Sequence, residues 1–583
     1  MKKLVVLLAL LFAFLEGTAY ALTPLMPVEN LRGGMKGYAK TVISGDTIET
    51  FPIEVLGVTG DENSGYQILI KAGGSLIERS GGIAQGMSGS PVYIDGRLVG
   101  AVAYGRAFND PHYCFLTPIQ NMLEMLDKPV PHKDNAGKDP ALLPKGTRLM
   151  AGGFSSVGFA ILAEELQPFD LTAVDVGPVG TVQVAGNLEP GSSVGVALVQ
   201  GDLSLGALGT VTWTDDKGRL LAFGHPFVQR GDASFFMTKT WVLASLPNLQ
   251  TAYKVGNLGQ AVGTVNQDRA AGVAGTVGKL PKYIPLYVSA SDMTRSLNRG
   301  TRVKIVEDEQ LTPGLIASVV ASEAAKAADH AVGGSARILF DIMALDSQNN
   351  PLHILRENMY YDTKNIIRQL PQELQEASQV LLQNKLEKVN ITNIDVTVDL
   401  STDSLVAEIQ RASVQEKEPK PGDTIHLDVV MKPYRSAEIT RTVAYKLPKD
   451  ASGDLKLNVR GGASMNWIQQ LLRQQKEEGV PQVKERAQEQ EKRDKEKKKE
   501  IRLRDYVREI NRADRNNDII VEYAVKESAD SSGKSGRGMA EQAAEEEIPL
   551  TFSALLAGGR NKQSTPVDLI VDGETGVTVK IAD

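Results

Sequence analysis

Alternating apolar and polar positions predict short β-strands over much of this chain. Residues 51–58 alternate as a half-buried strand does, and residues 92–103 form two apolar runs around an Asp-Gly turn. Similar short runs fill residues 148–307 and return from about residue 390, separated by turn-sized intervals. The pattern therefore predicts a mainly β protein, with a small immunoglobulin-like β-sandwich over residues 389–465.

Helical patterns are confined to a few segments. Thr117 and Pro118 are typical of a helix N-cap and first position, which predicts a helix to Leu126. Residues 311–330 are Ala-rich and are followed by a Gly-Gly pair, which predicts another helix. Residues 476–504 are almost all charged or amide-bearing, with acids and bases interspersed, and predict a solvated helix or a disordered tether.

The N-terminal segment has the pattern of a secretory signal peptide. A basic start at Lys2 and Lys3, an apolar run over residues 4–15 and the small residues around Tyr20 predict cleavage after Ala21. The apolar run is too short for an ordinary membrane-spanning helix, and an uncleaved anchor is the less favoured alternative. We therefore expect export to the periplasm, the cell envelope or the extracellular space.

Composition narrows the functional classes. The 583 residues predict several domains, and the formal net charge of −7 argues against a general nucleic-acid binder. The chain has a single cysteine, Cys114, so no intrachain disulfide can form, and the apolar residues after it predict a buried side chain. No histidine or cysteine spacing is typical of a zinc site, and we expect no metal and no cofactor.

A glycine-rich loop with two serines, residues 81–91, leads directly into the strands of residues 92–103. Glycines permit positive φ and leave amides uncovered, and a nucleophilic serine needs an exposed hydroxyl with N–H groups directed at the oxyanion. Ser88 is therefore a candidate nucleophile, with the backbone amides of Gly86 and Ser88 as oxyanion donors. The alternative is a tight Gly-Ser turn that joins two strands.

The longer string around Ser88, Gly-Gly-Ile-Ala-Gln-Gly-Met-Ser-Gly-Ser-Pro, resembles the serine loop of trypsin-like peptidases. It is still more similar to the SpoIVB peptidase family, the S55 peptidases, and the similarity continues through the following strand, turn and Gly-Ala-Val to Val102. The resemblance covers about residues 33–300. It implies a trypsin-like double β-barrel and an exported serine peptidase that acts on a protein or peptide substrate.

His225 is the candidate general base. It follows Gly224 at the end of an apolar strand, and this context resembles the histidine motif of the S55 family, Gly-x-Leu-Gly-His. His112, which follows the strands of residues 92–103, is the second candidate for the general base. The alternative for His225 is a hydrogen-bonded histidine at a corner between strand and loop.

Two departures from the family bear on mechanism. The family places histidine before serine, whereas Ser88 precedes His225 here, and this order fits a permuted double barrel because only the three-dimensional geometry matters. The family's acidic partner lies shortly before the serine, but residues 71–75 contain no carboxylate. Asp202 and Asp232 are candidates for the third triad member because they lie in the same half as the histidine, and a Ser-His dyad is the other option.

The patterns and the resemblance together divide the chain into consecutive segments. They are a signal peptide at 1–21, an S55-like half with the serine loop at 22–127, a linker at 128–147, an S55-like half with the histidine motif and the Ala-rich helix at 148–346, a helical connector at 347–388, the β-sandwich at 389–465, a charged helix or tether at 466–510 and a C-terminal segment at 511–583 that completes a β element and is predicted to be partly disordered.

Two functions are compatible with this organisation. The first is an exported serine endopeptidase acting on an envelope or extracellular protein. The second is a catalytically inactive S55-like binding or scaffold protein of the envelope, in which the C-terminal sandwich supplies the contacts.

Overall fold

The computed structural model describes residues 23–61, 65–105, 110–127, 148–180, 184–248, 251–329, 333–462, 502–523 and 562–582. The chain divides into two compact units, one of Met1–Leu286 with Thr301–Ser322 and one of Tyr287–Gly300 with Glu323–Asp583. The predicted signal peptide, the predicted linker and most of the predicted tether lie outside the described residues. No helix within the described ranges is long and apolar enough to cross a membrane.

The first unit begins with a closed barrel. Its strands are β1 (Lys36–Thr41), β2 (Glu49–Asp61), β3 (Gly65–Ala72), β4 (Pro91–Ile94), β5 (Arg97–Tyr104) and β6 (Tyr113–Pro118). They pair in the order β1-β2-β3-β6-β5-β4, and β4 pairs with β1 to complete the circle. Alternate apolar side chains fill the interior, among them Phe51, Ile53 and Val55 of the predicted strand at 51–58. Cys114 is buried in the same core, which confirms the prediction for this side chain.

Two short helices flank this barrel, α1 (Ser75–Ser80) before the serine loop and α2 (Ile119–Asp127) after β6. Helix α2 begins later than the Thr117 cap predicted. Thr117 is the penultimate residue of β6, and its Oγ1 donates a 2.6 Å hydrogen bond to the carbonyl of Gly224, so its hydroxyl serves a tertiary contact.

The rest of the first unit contains a second circle of strands. Its elements are β7 (Arg148–Gly152), α3 (Ser156–Leu166), β8 (Thr172–Asp175), β9 (Ser193–Gly201), β10 (Ser204–Thr214), β11 (Arg219–Ala222), β12 (Gly231–Leu246), β13 (Tyr253–Arg269) and β14 (Gly272–Val277). Strands β9, β12, β13, β14, β11 and β10 pair in that order, and β10 also pairs with β9. Helix α3 interrupts the β-rich block that the sequence predicts, and Ser155 caps it by accepting the amide of Gly158.

The two circles of strands share a hydrophobic cluster. Tyr93 and Leu98 of the first pack with Trp213 and Leu221 of the second. Full burial of a side chain of this size contributes about 1.5–3 kcal/mol, so the cluster holds the two circles together.

The chain then continues through β15 (Tyr283–Asp292), β16 (Leu297–Val306) and α4 (Thr312–Ala328). The helix confirms the Ala-rich prediction for residues 311–330 as far as Ala328. Residues 303–305 of β16 pair with β9.

The second unit contains β17 (Gly334–Leu345), β18 (Pro351–Asp362), α5 (Gln372–Leu382) and β19 (Asn390–Ser401). Strand β17 pairs with both β18 and β19. The segment 347–388, predicted as a helical connector, thus contains a long strand as well as a helix. Leu352, Ile354 and Arg356 are buried at alternate positions of β18, the period of a strand. Strand β19 also differs from the prediction, since it pairs with β17 and not with the sandwich strands.

The remaining elements of the second unit form two four-stranded sheets. They are β20 (Val406–Val414), β21 (Thr424–Pro433), β22 (Ile439–Lys446), β23 (Asp454–Gly461), α6 (Leu503–Arg512), β24 (Asp518–Glu522), β25 (Lys562–Pro566), β26 (Ile570–Asp572) and β27 (Glu574–Lys580). The sheet orders are β22-β21-β20-β26 and β25-β24-β23-β27. Residues of both sheets, including Leu427 and Val459, belong to one buried cluster. Short turns of 3-10 helix occur at Val28–Asn30, Gln167–Phe169 and Ile366–Arg368.

Candidate functional site

The serine loop of residues 81–91 connects α1 to β4 and lies against strand β10 of the second circle. Gly89 has φ +94°, and a Cβ at this position would lie 2.0 Å from the carbonyl oxygen of Thr210. Only glycine permits both this conformation and this close approach. The glycine pattern of the loop therefore allows the serine to approach β10.

Hydrogen bonds anchor the carbonyls of the loop one after another. The acceptors and their donors are Gln85 O with Lys254 N at 2.9 Å, Gly86 O with Thr210 Oγ1 at 3.0 Å, Met87 O with Ser90 N at 2.9 Å and Ser88 O with Thr210 N at 2.8 Å. Each peptide plane in the segment that carries the candidate serine is thus fixed by its oxygen.

The amides of Gly86 and Ser88 have no hydrogen-bond acceptor among the described residues. In a trans peptide the N–H points away from the C=O of the same plane. The anchored oxygens of Gln85 and Met87 therefore direct the amides of Gly86 and Ser88 away from the atoms that hold those oxygens. Two uncommitted amides, one of them on Ser88 itself, are the arrangement that an oxyanion hole requires.

His225 lies on the loop that follows β11 and is only 6% exposed. Its Nδ1 is 2.8 Å from the carbonyl oxygen of Pro226. Because a carbonyl can only accept, Nδ1 carries the proton and Nε2 presents a lone pair. Burial holds the pKa of His225 below its ordinary value, with the Pro226 bond opposing the shift. The ring is therefore a neutral base near pH 7.

Thr210 of β10 brings the two loops together. Its amide donates to Ser88 O at 2.8 Å, and its carbonyl accepts from the amide of Phe223 at 3.4 Å. Val102 of β5 is a second backbone position that both loops contact. Its carbonyl oxygen accepts from the amide of Gly89 at 2.7 Å, and a Cβ at Gly224 would lie 3.1 Å from the same oxygen. The serine loop and the loop after β11 that carries Gly224 and His225, the Gly-His loop, thus pack around the backbone of Thr210 and Val102, although the two loops are far apart in sequence.

The two aspartates suggested as third triad members have other partners. Asp202 Oδ2 accepts from the amide of Arg302, and Asp232 is exposed and pairs with Arg269. His225 has no carboxylate partner among the described residues, and the Pro226 carbonyl occupies its Nδ1. The acidic member of the site therefore stays without an assignment.

His112, the second candidate base, is paired with two carboxylates. Its Nδ1 lies 2.6 Å from Asp110 Oδ1 and its Nε2 3.3 Å from Glu78 Oε1. The hydrogen bond that His112 donates to Asp110 raises the pKa of His112. A histidine with both nitrogens engaged has no free lone pair for a serine proton.

Asp268 is a residue that sequence reasoning missed. Its buried carboxylate accepts from the amides of Phe227 at 2.6 Å, Val228 at 2.8 Å and Arg230 at 3.2 Å. Desolvation raises the pKa of Asp268, with these backbone bonds opposing the shift. The carboxylate at the end of β13 thus fixes the backbone that follows His225.

Lys254 is the second missed residue. Its side chain is 1% exposed, and its Nζ lies 3.1 Å from Thr41 Oγ1 and 3.5 Å from Thr210 Oγ1. Within the described part of the chain, no carboxylate forms an ion pair with it. Desolvation alone lowers the pKa of Lys254 to about 7. A single Lys in an alternating strand gives no sequence signal for this location, because the contacts come from distant segments.

The described residues contain no group of three or more His, Cys, Asp or Glu side chains that could hold a metal ion. Comparison with protein families matches residues 24–123 to the SpoIVB peptidase S55 family. Comparisons with curated proteins and with solved structures give no match. The matched segment contains the whole first barrel, the serine loop and most of α2, and it ends before His225. Residues 24–123 are therefore similar to the SpoIVB peptidase S55 family, the same family that the string around Ser88 resembles.

Proposed function

We propose that this chain is an exported serine endopeptidase in which Ser88 is the nucleophile and His225 the general base. The observation that carries the proposal is the packing of the serine loop and the Gly-His loop around Thr210 and Val102, with the amides of Gly86 and Ser88 uncommitted. The S55 family match over the serine-bearing barrel supports a protein or peptide substrate.

The mechanism follows from the groups present. Ser88 Oγ attacks the scissile carbonyl while His225 Nε2 accepts its proton, and the oxyanion binds to the amides of Gly86 and Ser88. The resulting imidazolium then donates its proton to the leaving amine. Water attacks the acyl-enzyme in the second half-reaction, with His225 again as base.

The Pro226 carbonyl performs part of the role of a triad carboxylate. It fixes the tautomer in which Nε2 is the acceptor, and it orients the ring. A neutral carbonyl stabilises the imidazolium less than a carboxylate does, so we expect a dyad that is slower than a complete triad.

A permuted trypsin-like double barrel agrees with this site. The closed barrel supplies the serine, and the second circle of paired strands supplies the histidine, as two halves of one unit. Chain order is then reversed relative to the family without a change in geometry. We further propose export through a cleavable signal peptide and an envelope or extracellular substrate, on the pattern of residues 1–21.

Labelling with a fluorophosphonate probe tests the proposal. We expect the wild type to be labelled, and Ser88→Ala and His225→Ala to lose the label. His112→Ala is the matched histidine control and Ser90→Ala the matched serine control, and both should remain labelled. Label that persists in Ser88→Ala contradicts the nucleophile assignment.

An inactive S55-like binding or scaffold protein is the second candidate. The observation that favours it is the absence of a carboxylate partner for His225 among the described residues. A folded wild type that no fluorophosphonate concentration labels would favour this function.

A further inference from the structure

We propose that Lys254 is a positioning residue: its contacts with the serine loop set the direction of the oxyanion amides of Gly86 and Ser88. The inference rests on the proposed peptidase function, because it assigns a role within that site. Lys254 reaches the loop through its backbone, through its aliphatic stem and through its Nζ.

The backbone and the aliphatic stem of Lys254 contact two neighbouring loop residues, Gln85 and Gly86. The amide of Lys254 donates to Gln85 O at 2.9 Å, which fixes the peptide whose N–H belongs to Gly86. The stem lies directly beneath Gly86, where an added Cβ would come within 3.1–3.2 Å of three of its carbons. Gly86 has φ +90°, so the stem supports a backbone conformation that glycine alone adopts readily.

The Nζ acts through Thr210. Thr210 Oγ1 must donate to Gly86 O, because a carbonyl has no proton, and its lone pairs then face the Lys254 Nζ at 3.5 Å. The direction of donation therefore runs from lysine to threonine to the loop carbonyl. A second bond to Thr41 Oγ1 at 3.1 Å ties the Nζ to β1. Gly86 O belongs to the Gly86–Met87 peptide, which joins the two peptides that carry the amides of Gly86 and Ser88. Rotation of this central peptide would break the contacts from lysine to threonine to the loop.

Stability alone gives no reason for an amine at this site. A buried ammonium without a carboxylate partner costs free energy, whereas a methionine of similar length would fill the same space without that cost. A role in the geometry of the loop accounts for the amine, since methionine cannot donate to Thr210.

The test compares Lys254→Met with the wild type by the second-order rate constant of fluorophosphonate labelling and by thermal unfolding. We expect labelling to fall by about tenfold or more, since a whole oxyanion donor is worth about 10²–10³, while the unfolding temperature does not fall. Lys239→Met is the matched control, because the Nζ of Lys239 on β12 binds the carbonyls of Val184 and Gly186 and not the serine loop. It should label at the wild-type rate.

The pair Thr210→Val and Thr210→Ser tests the hydroxyl separately. Thr210→Val should slow labelling, and Thr210→Ser, which keeps the hydroxyl, should restore it. This pair decides the question if Lys254→Met fails to fold. Unchanged labelling in both Lys254→Met and Thr210→Val overturns the proposal.

Hydrogen exchange separates this proposal from the peptidase assignment. The amides of Met87, Gly89 and Ser90 are hydrogen-bonded, and we expect them to exchange faster in Lys254→Met than in the wild type. If the wild type is not labelled, the proposed function fails, and exchange still decides whether Lys254 holds the loop. Unchanged exchange in the variant overturns the positioning role.

Discussion

At the scale of single residues, the site depends on side chains that burial keeps neutral or only partly charged. His225 is buried with its Nδ1 proton directed to a carbonyl, and Lys254 is buried with hydroxyl partners only. Motif reasoning could propose Ser88 and His225, because their local strings carry the resemblance. It could not find Lys254, whose Thr41 contact joins positions 213 residues apart.

The lowered pKa of His225 predicts how labelling depends on pH. The base must be unprotonated, so labelling should rise with pH and reach half its maximum below about pH 6.5, the ordinary value for histidine. Rate constants of fluorophosphonate labelling from pH 4.5 to 8 measure this. A midpoint clearly above pH 6.5 would contradict the buried, neutral base.

The lowered pKa of Lys254 predicts a stability effect of defined sign. Below about pH 7 both folded and unfolded chains carry the charge, and the folded state bears the full cost of burying it. Between about pH 7 and 10.5 only the unfolded chain binds the proton, so this cost disappears as the pH rises. Lys254→Met should therefore raise the unfolding temperature by about 3 °C at pH 6, with a smaller gain at pH 9. Calorimetry at both pH values measures the difference, and an equal gain at both would refute it.

At the scale of elements, the alternation of apolar and polar residues predicted the strands well wherever one face of the strand is buried, as in β2. It failed at 347–388, where β18 contains polar residues at buried positions, such as Arg356 paired with Glu373 at 2.6 Å. It also missed α3, whose apolar residues resemble those of the strands around it. Loop conformation was beyond prediction because partners such as Asp268 come from another strand.

Asp268 gives a prediction for the loop after β11. Asp268→Ala removes the acceptor of the amides of Phe227, Val228, Gln229 and Arg230, and buried donors without partners cost about 1–3 kcal/mol each. We expect a loss of about 3 kcal/mol in the free energy of unfolding and slower labelling, because the backbone beside His225 loosens. Denaturant unfolding measures the first effect. Asp232→Ala, at an exposed aspartate on β12, is the control and should change stability by less than about 0.5 kcal/mol.

At the scale of the whole molecule, the chain separates a unit with the candidate site from a unit that ends in the two four-stranded sheets. A mainly β protein with a closed barrel was predictable from the sequence. The contribution of residues 562–582 to both sheets could not be predicted, because β26 pairs in parallel with β20 whereas β27 pairs with β23. Pairing across such sequence distances leaves no local pattern.

Deletion of residues 562–582 tests this arrangement. Val571 and Val579 are buried in the cluster shared by both sheets, so the deletion should expose that core. We expect limited proteolysis to degrade residues 402–461 rapidly in the truncated chain and slowly in the intact one. Val571→Ala, a point change in the same core, should give an intermediate rate of cleavage. Equal resistance of the truncated and intact chains would contradict the pairing.

The dependence of both sheets on β26 and β27 has a kinetic consequence. A ribosome releases the chain N-terminus first, at about 5–20 residues per second, so β20 to β23 emerge well before the strands that complete their sheets. The barrel around Ser88 can fold early on its own contacts. In the second unit, β20 and β23 stay unpaired on one edge until β26 and β27 have been synthesised. Chaperone demand during biogenesis should therefore concentrate on that interval, after the barrel that carries Ser88 has folded.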